Sequence, residues 1–199
     1  MQILLTELLK EIEEKSTLEV QIYCDMDGVL VDIDAGFKKI SGGYSVDNFK
    51  NSPEFGGDEK RAKKRFWQLI DTTPNFWVNL PPTSDATVLW EFIRENFKSP
   101  LPVILSAGQG SDLARQKTEW IRNHIDPDPT VKVIIASAGP KKPEYIIKHP
   151  GKRVSHVLID DTKKNIDVWN NTTLHRIAIP HTDAASSIKQ LREFITNQK

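Results

Sequence analysis

Short apolar runs punctuate the chain, and each stops at small or polar residues. Val20–Cys24 leads into Asp25-Met26-Asp27-Gly28, Pro102–Leu105 into Ser106-Ala107-Gly108, and Val131–Ala136 into Ser137-Ala138-Gly139. Val154–Ile159 leads into Asp160-Asp161, and Leu174–Ile179 into Pro180-His181-Thr182. Continuous β-branched runs of this length predict strands buried on both faces. Helical spacing lies between them: Asp112–Ile125 with Ser111 as N-cap, then 143–149, 162–169, and a last helix from Thr182 or Asp183 through Ile195. Leu4, Leu5, Leu8, Leu9 and Ile12 predict an amphipathic leading helix over 3–15. Strands alternating with helices from residue 100 onward predict βαβ units, right-handed crossovers and a parallel sheet.

One stretch breaks that rhythm. From Phe37 to Glu91 no strand pattern occurs; charged residues (Asp58 to Arg65), glycine pairs and the aromatics Phe49, Phe55, Phe66, Trp67, Phe76, Trp77 and Trp90 take its place. A mostly helical insertion between the first two strands is expected there.

Composition narrows the function classes. Lys plus Arg and Asp plus Glu each number 27, so the chain is neutral and has no excess charge with which to neutralise nucleic acid or an anionic membrane. A small local basic site remains compatible with this; the run Lys60 to Arg65 reads as a solvated helix face, the alternative being a contact with a nucleotide or nucleic-acid phosphate. The single Cys24 forms no internal disulfide, the leading segment lacks a signal peptide's basic start and continuous apolar stretch, and no run reaches membrane-spanning length. A cytoplasmic enzyme or binding protein is the expectation. The leading helix could serve either core packing or a homodimer contact. The five histidines show no ligand spacing and read as structural or surface residues, with a site role left open only for His181, which follows the fifth strand near the same sheet edge.

In a parallel sheet the carboxyl ends of the strands share one edge, where ligands bind. Asp25, Asp27, Ser106, the 139–142 loop, Asp160 and Asp161 would therefore converge. Asp25 and Asp27, two apart, project to one side. Together with the acidic pair they crowd up to four carboxylates, which repel one another without a cation among them. Oxygen-only donors point to a hard ion such as Mg2+. Mg2+ beside a spare carboxylate, a hydroxyl and a lysine suits phosphoryl transfer.

These residues carry a resemblance. Asp25-Met26-Asp27-Gly28-Val29-Leu30, Ile104-Leu105-Ser106, Lys141-Lys142-Pro143 and Asp160-Asp161 resemble, in order, the four signatures of the haloacid dehalogenase superfamily of phosphatases. The resemblance implies a Rossmann-like α/β core over 18–36 and 92–199, a small helical cap over 37–91 inserted after the first strand, and the leading segment 1–17 outside both. It implies Asp25 as nucleophile forming an aspartyl-phosphate and Asp27 as acid and then base. Ser106 and a lysine would hold the phosphoryl group, and Mg2+ would sit on the Asp25 carboxylate, the Asp27 backbone carbonyl and the Asp160–Asp161 pair. The lysine is Lys141 or Lys142; Lys142 is preferred because Pro143 after it fits the first helical position.

A longer string, Asp25 through Asp32, Gly36-Phe37 and Phe76-Trp77-Val78-Asn79-Leu80-Pro81-Pro82, is similar to the 5'(3')-deoxyribonucleotidases. That likeness implies Phe37, Phe76 and Trp77 as walls enclosing a nucleobase, Ala107 as a further substrate-binding residue, and a nucleoside monophosphate as substrate. The chain departs from that family at its leading helix, at Gly108-Gln109-Gly110 and in the longer 139–153 segment, which leaves substrate identity open. The alternatives are a sugar or metabolite phosphatase or phosphomutase, a polynucleotide end phosphatase, and a catalytically silent protein that binds a phosphate ligand.

Overall fold

The computed structural model describes residues 19–197 with the exception of Ser111. The leading helix expected over 3–15 and the Ser111 cap lie outside the described residues. Five strands form one sheet: β1 (Glu19–Cys24), β2 (Val103–Ala107), β3 (Val133–Ala136), β4 (Val154–Asp160) and β5 (Arg176–Pro180). Their order is β3-β2-β1-β4-β5 and every pairing is parallel. The predicted runs match these strands within two residues at each end, because a strand covered on both faces must be apolar throughout.

The helices are α1 (Ile33–Ile40), α2 (Glu59–Thr72), α3 (Ala86–Asn96), α4 (Leu113–His124), α5 (Lys163–Trp169) and α6 (Ala184–Asn197). Side chains alternate across the sheet. Ile22, Cys24, Ile104, Val157 and Ile159 meet the larger core, built with Leu89, Trp90 and Ile93 of α3, Trp120 and Ile121 of α4, and Leu191 of α6. Tyr23, Val103, Leu105 and Leu158 meet a smaller core closed by Trp169 of α5, with Ile146 and Ile147 packed against it. The sheet is thus the middle of three layers. Among the described residues no helix is long and apolar enough to cross a membrane.

Two expectations change. The helix expected over 143–149 is absent; a 3-10 segment, Gly139–Tyr145, stands earlier and gives way at Ile146 to extended backbone. Extension lets both isoleucines reach the smaller core while the Ile147 N–H donates to the Tyr23 hydroxyl at 2.9 Å. The insertion after β1 is helical as expected, but the 36/37 and 91/92 boundaries fall inside α1 and α3, and α3 packs on α6 beside the sheet.

Candidate active site

The site starts from the central strand. The Asp25 N–H donates to the Ile159 carbonyl at 2.9 Å, which extends the β1–β4 ladder by one residue and fixes Asp25 at the carboxyl edge. The chain then turns tightly: Leu30 and Val31 N–H groups both donate to the Met26 carbonyl. Gly28 has φ +76°, and a Cβ there would overlap the Asp161 carboxylate, so only glycine serves both turn and approach.

Asp25 is 5% exposed; its Oδ1 accepts from the Met26 N–H at 2.7 Å and its Oδ2 lies 2.7 Å from Lys142 Nζ. Lys142 is 1% exposed and also holds Asp160 Oδ2 at 2.6 Å, whereas Lys141 is exposed. The 3-10 segment that replaces the expected helix is what carries Lys142 inward. Burial alone would push its ammonium down, but the Asp25 and Asp160 charges outweigh that and raise it above its ordinary value. Asp160 is fully buried and further held by the Thr162 N–H and the Asn165 amide. Burial, then the Asp25 charge, push its carboxyl up to about 6, since one lysine cannot neutralise two carboxylates. Asp161 stands at the rim: the residue is largely exposed, yet desolvation of its carboxyl by the site walls and the Asp25 charge raise it as well.

Asp25, Asp160 and Asp161 each offer an oxygen, all within 4.8 Å of one another. Crowded, partly desolvated, oxygen-only donors, with the Asp160 and Asp161 carboxyls shifted upward, fit a hard divalent cation.

Asp27 does not complete a four-carboxylate cluster. Its side chain turns to Lys117 of α4, whose Nζ lies 2.6 Å from Asp27 Oδ2, 2.8 Å from Ser106 Oγ and 3.2 Å from the Ala107 carbonyl. Asp27 Oδ1 is buried without a hydrogen-bond partner among the described residues. Desolvation raises the Asp27 carboxyl and the Asp25 charge adds to the rise, with Lys117 opposing.

A cavity of about 780 Å3 opens above this floor, lined by Asp25, Asp27, Asp161, Ala107 and Ser137 from the sheet edge and by Ile33, Lys63, Trp67 and Asp71 from α1 and α2. Phe37, Phe76 and Trp77, expected to enclose a base, are not part of that lining. Phe37 is fully buried between Phe49 and Phe66, Phe76 is 5% exposed, and Trp77 lies with its ring over Lys117 Nζ at 4.2 Å. The aromatic facing the cavity is Trp67, 43% exposed.

Lys117 and Trp67 were not singled out by sequence reasoning, and both leave a trace in it. Lys117 occupies the apolar stripe of α4 with Leu113, Trp120 and Ile121, and Trp67 shares the polar face of α2 with Lys63 and Asp71 at four-residue spacing. A lysine in a buried stripe and a tryptophan on a polar one are the anomalies to look for.

No family model matches the sequence, and no curated protein sequence matches it. Among solved structures the chain is similar to a haloacid dehalogenase-like hydrolase from Burkholderia xenovorans LB400, at 15% identity over 91% of this chain and 98% of that one, with a TM-score of 0.54. It is similar also to a haloacid dehalogenase-like family hydrolase from Xanthomonas campestris, at 11% identity over 92% and 94%, with a TM-score of 0.50. At such identity the likeness is one of fold: this chain has the Rossmann-like α/β fold of the haloacid dehalogenase-like hydrolases.

Proposed function

We propose that this protein hydrolyses phosphate monoesters through a phosphorylated Asp25 and that its substrate is a nucleoside monophosphate. The observation that carries the reading is the single cavity floor on which a buried Asp25, braced by Lys142, adjoins Asp27 and a three-carboxylate cation cradle. Asp25 attacks phosphorus and the bond to the leaving oxygen breaks, while Asp27 gives that oxygen a proton. Asp27 then takes a proton from the water that attacks the aspartyl-phosphate, releasing inorganic phosphate and restoring Asp25. Asp25, Asp160 and Asp161 would hold Mg2+, with the Asp27 carbonyl beside them. When bound, Mg2+ would offset phosphate charge. Lys142 would orient Asp25 and supply positive charge against the phosphoryl oxygens, and the Ser106 hydroxyl would donate to one of them.

The substrate assignment rests on α2. Trp67 offers a flat face on which a base can stack, and Lys63 and Asp71 flank it with a donor and an acceptor. Lys60 and Lys64, also exposed on α2, favour a second reading in which the nucleotide is the phosphorylated end of a polynucleotide. Phosphate release from ribo- and deoxyribonucleoside monophosphates, sugar phosphates and a 3'-phosphorylated oligonucleotide tests both, with Mg2+ or EDTA and beside Asp25→Asn. Mg2+-dependent release from nucleotides that vanishes in Asp25→Asn is expected. A preference for sugar phosphates overturns the substrate class, and no release from any ester overturns the phosphatase reading.

A further inference from the structure

Lys117 is fully buried 90 positions along the chain from Asp27, in a helix stripe where an apolar residue would cost nothing to bury. An ammonium has three N–H donors and no acceptor. Here all three have partners: Asp27 Oδ2, Ser106 Oγ and the Ala107 carbonyl. The Trp77 ring covers a further side at 4.2 Å. Nothing on this lysine is left over for a substrate phosphate, so it is not a second phosphate ligand.

These bonds hold the Asp27 carboxylate through Oδ2 in one orientation at the cavity floor. They also occupy one lone pair of the Ser106 hydroxyl. We infer that Lys117 is the positioning residue of this site, one cation that holds the Asp27 carboxylate where it exchanges protons with the leaving group and with water, with Trp77 as its cover. The inference rests on the phosphatase reading above, and it gives Trp77 the task of shielding this lysine in place of enclosing a base.

The consequence is a dependence on the leaving group. An alkoxide such as a nucleoside oxygen departs only with a proton from Asp27, whereas 4-nitrophenolate departs without one. The parameter kcat/KM reports the steps through formation of the aspartyl-phosphate. Lys117→Met, which frees the carboxylate to turn, is therefore expected to lower kcat/KM for a nucleoside monophosphate by about 100-fold. For 4-nitrophenyl phosphate kcat/KM changes little. Hydrolysis of the aspartyl-phosphate still needs Asp27 as base, so with that ester the variant shows a burst of nitrophenolate followed by slow turnover. In an Asp27→Asn background Lys117→Met adds nothing further on the nucleotide. Lys117→Gln keeps a donor in place and carries the same comparison should the methionine variant fail to fold. Equal losses on the two esters, or a loss undiminished in the Asp27→Asn background, overturn the inference while leaving the phosphatase reading intact. A wild-type protein inactive on both esters overturns the phosphatase reading and this inference with it.

Discussion

Among the described residues Lys142 is the only cation touching Asp25 and Asp160, both of them buried. Removing one partner of a buried ion pair leaves uncompensated charge and costs about 3–5 kcal/mol. Here two carboxylates are left instead of one, with Asp161 close by. Lys142→Met is therefore expected to melt several degrees lower in EDTA. Millimolar Mg2+ should restore more of its melting temperature than it adds to the wild type, because a cation that binds only the folded state stabilises it most where nothing else neutralises the cluster. Paired thermal melts decide this, and equal Mg2+ shifts in the two proteins would show that the three carboxylates do not act as a cation cradle. Gly28 offers a second residue-level test. In Gly28→Ala a left-handed backbone acquires a Cβ that overlaps Asp161. The strain is about 1–3 kcal/mol, and because Asp161 must move, phosphatase activity should fall further than the lost stability explains. Activity kept at the wild-type level would mean that Asp161 has no part in turnover.

At the scale of elements, α2 is where stability and specificity come apart. Its start is capped by Asp58, which accepts from the Lys60 and Arg61 N–H groups at 3.1 and 3.0 Å. Asp58→Ala should cost about 1 kcal/mol, which lowers the melting temperature by roughly 2–4 °C for a chain of this size. Trp67→Ala, at an exposed position, should leave the melting temperature alone. Its loss of base stacking, about 1–3 kcal/mol, should raise KM for nucleotides by roughly 5- to 150-fold and leave that of a small alkyl phosphate unchanged. A common shift for both esters would remove Trp67 from substrate recognition. The contrast with what the sequence foretold is instructive here. The strands and the polar residues at their ends were legible because both faces of each strand are covered, so the apolar run itself marks the element and its last residue marks the site. Asp25 and Asp160 lie at that edge by strand position alone, whereas Lys142 was set apart from Lys141 only by the Pro143 that follows it. The 143–149 segment was not legible: Ile146 and Ile147 answer to a core around Tyr23, which is 124 positions from Ile147 in sequence and which extended backbone reaches and a helix does not. Phe76 and Trp77 misled for a related reason. Flat aromatic surface serves a ligand or a core equally well, and only the approach of α4, which brings Gln116 and Lys117 against Trp77, decides for the core.

At the scale of the whole molecule, the sheet carries titratable groups away from the cavity as well as at it. Tyr23, in the smaller core, lies against His156 of the neighbouring strand. The Ile147 N–H donates to the Tyr23 hydroxyl, so the phenolic hydrogen is available to His156 Nδ1, 3.2 Å away, provided that nitrogen carries no proton of its own. Burial first, then the His149, Arg176 and His175 charges, push His156 down to about 4, while burial pushes Tyr23 up to about 12. A histidine depressed in the folded state takes up its proton first in the unfolded chain, near pH 6.5. Its stabilising contribution is therefore complete above pH 6.5 and is lost as the pH falls toward 4, on the order of 1–2 kcal/mol once partial exposure is allowed for. Asp160, shifted the other way, gains relative stability over much of the same range and would mask the effect in the wild type alone. A comparison with His156→Gln removes that overlap, because Asp160 is common to both proteins. The wild type should melt above the variant at pH 7.5, and the gap should close steadily between pH 6.5 and 4. A gap that stays constant across that interval would mean that His156 is not held neutral by this core, and that the acid sensitivity of the fold resides in its carboxylates instead.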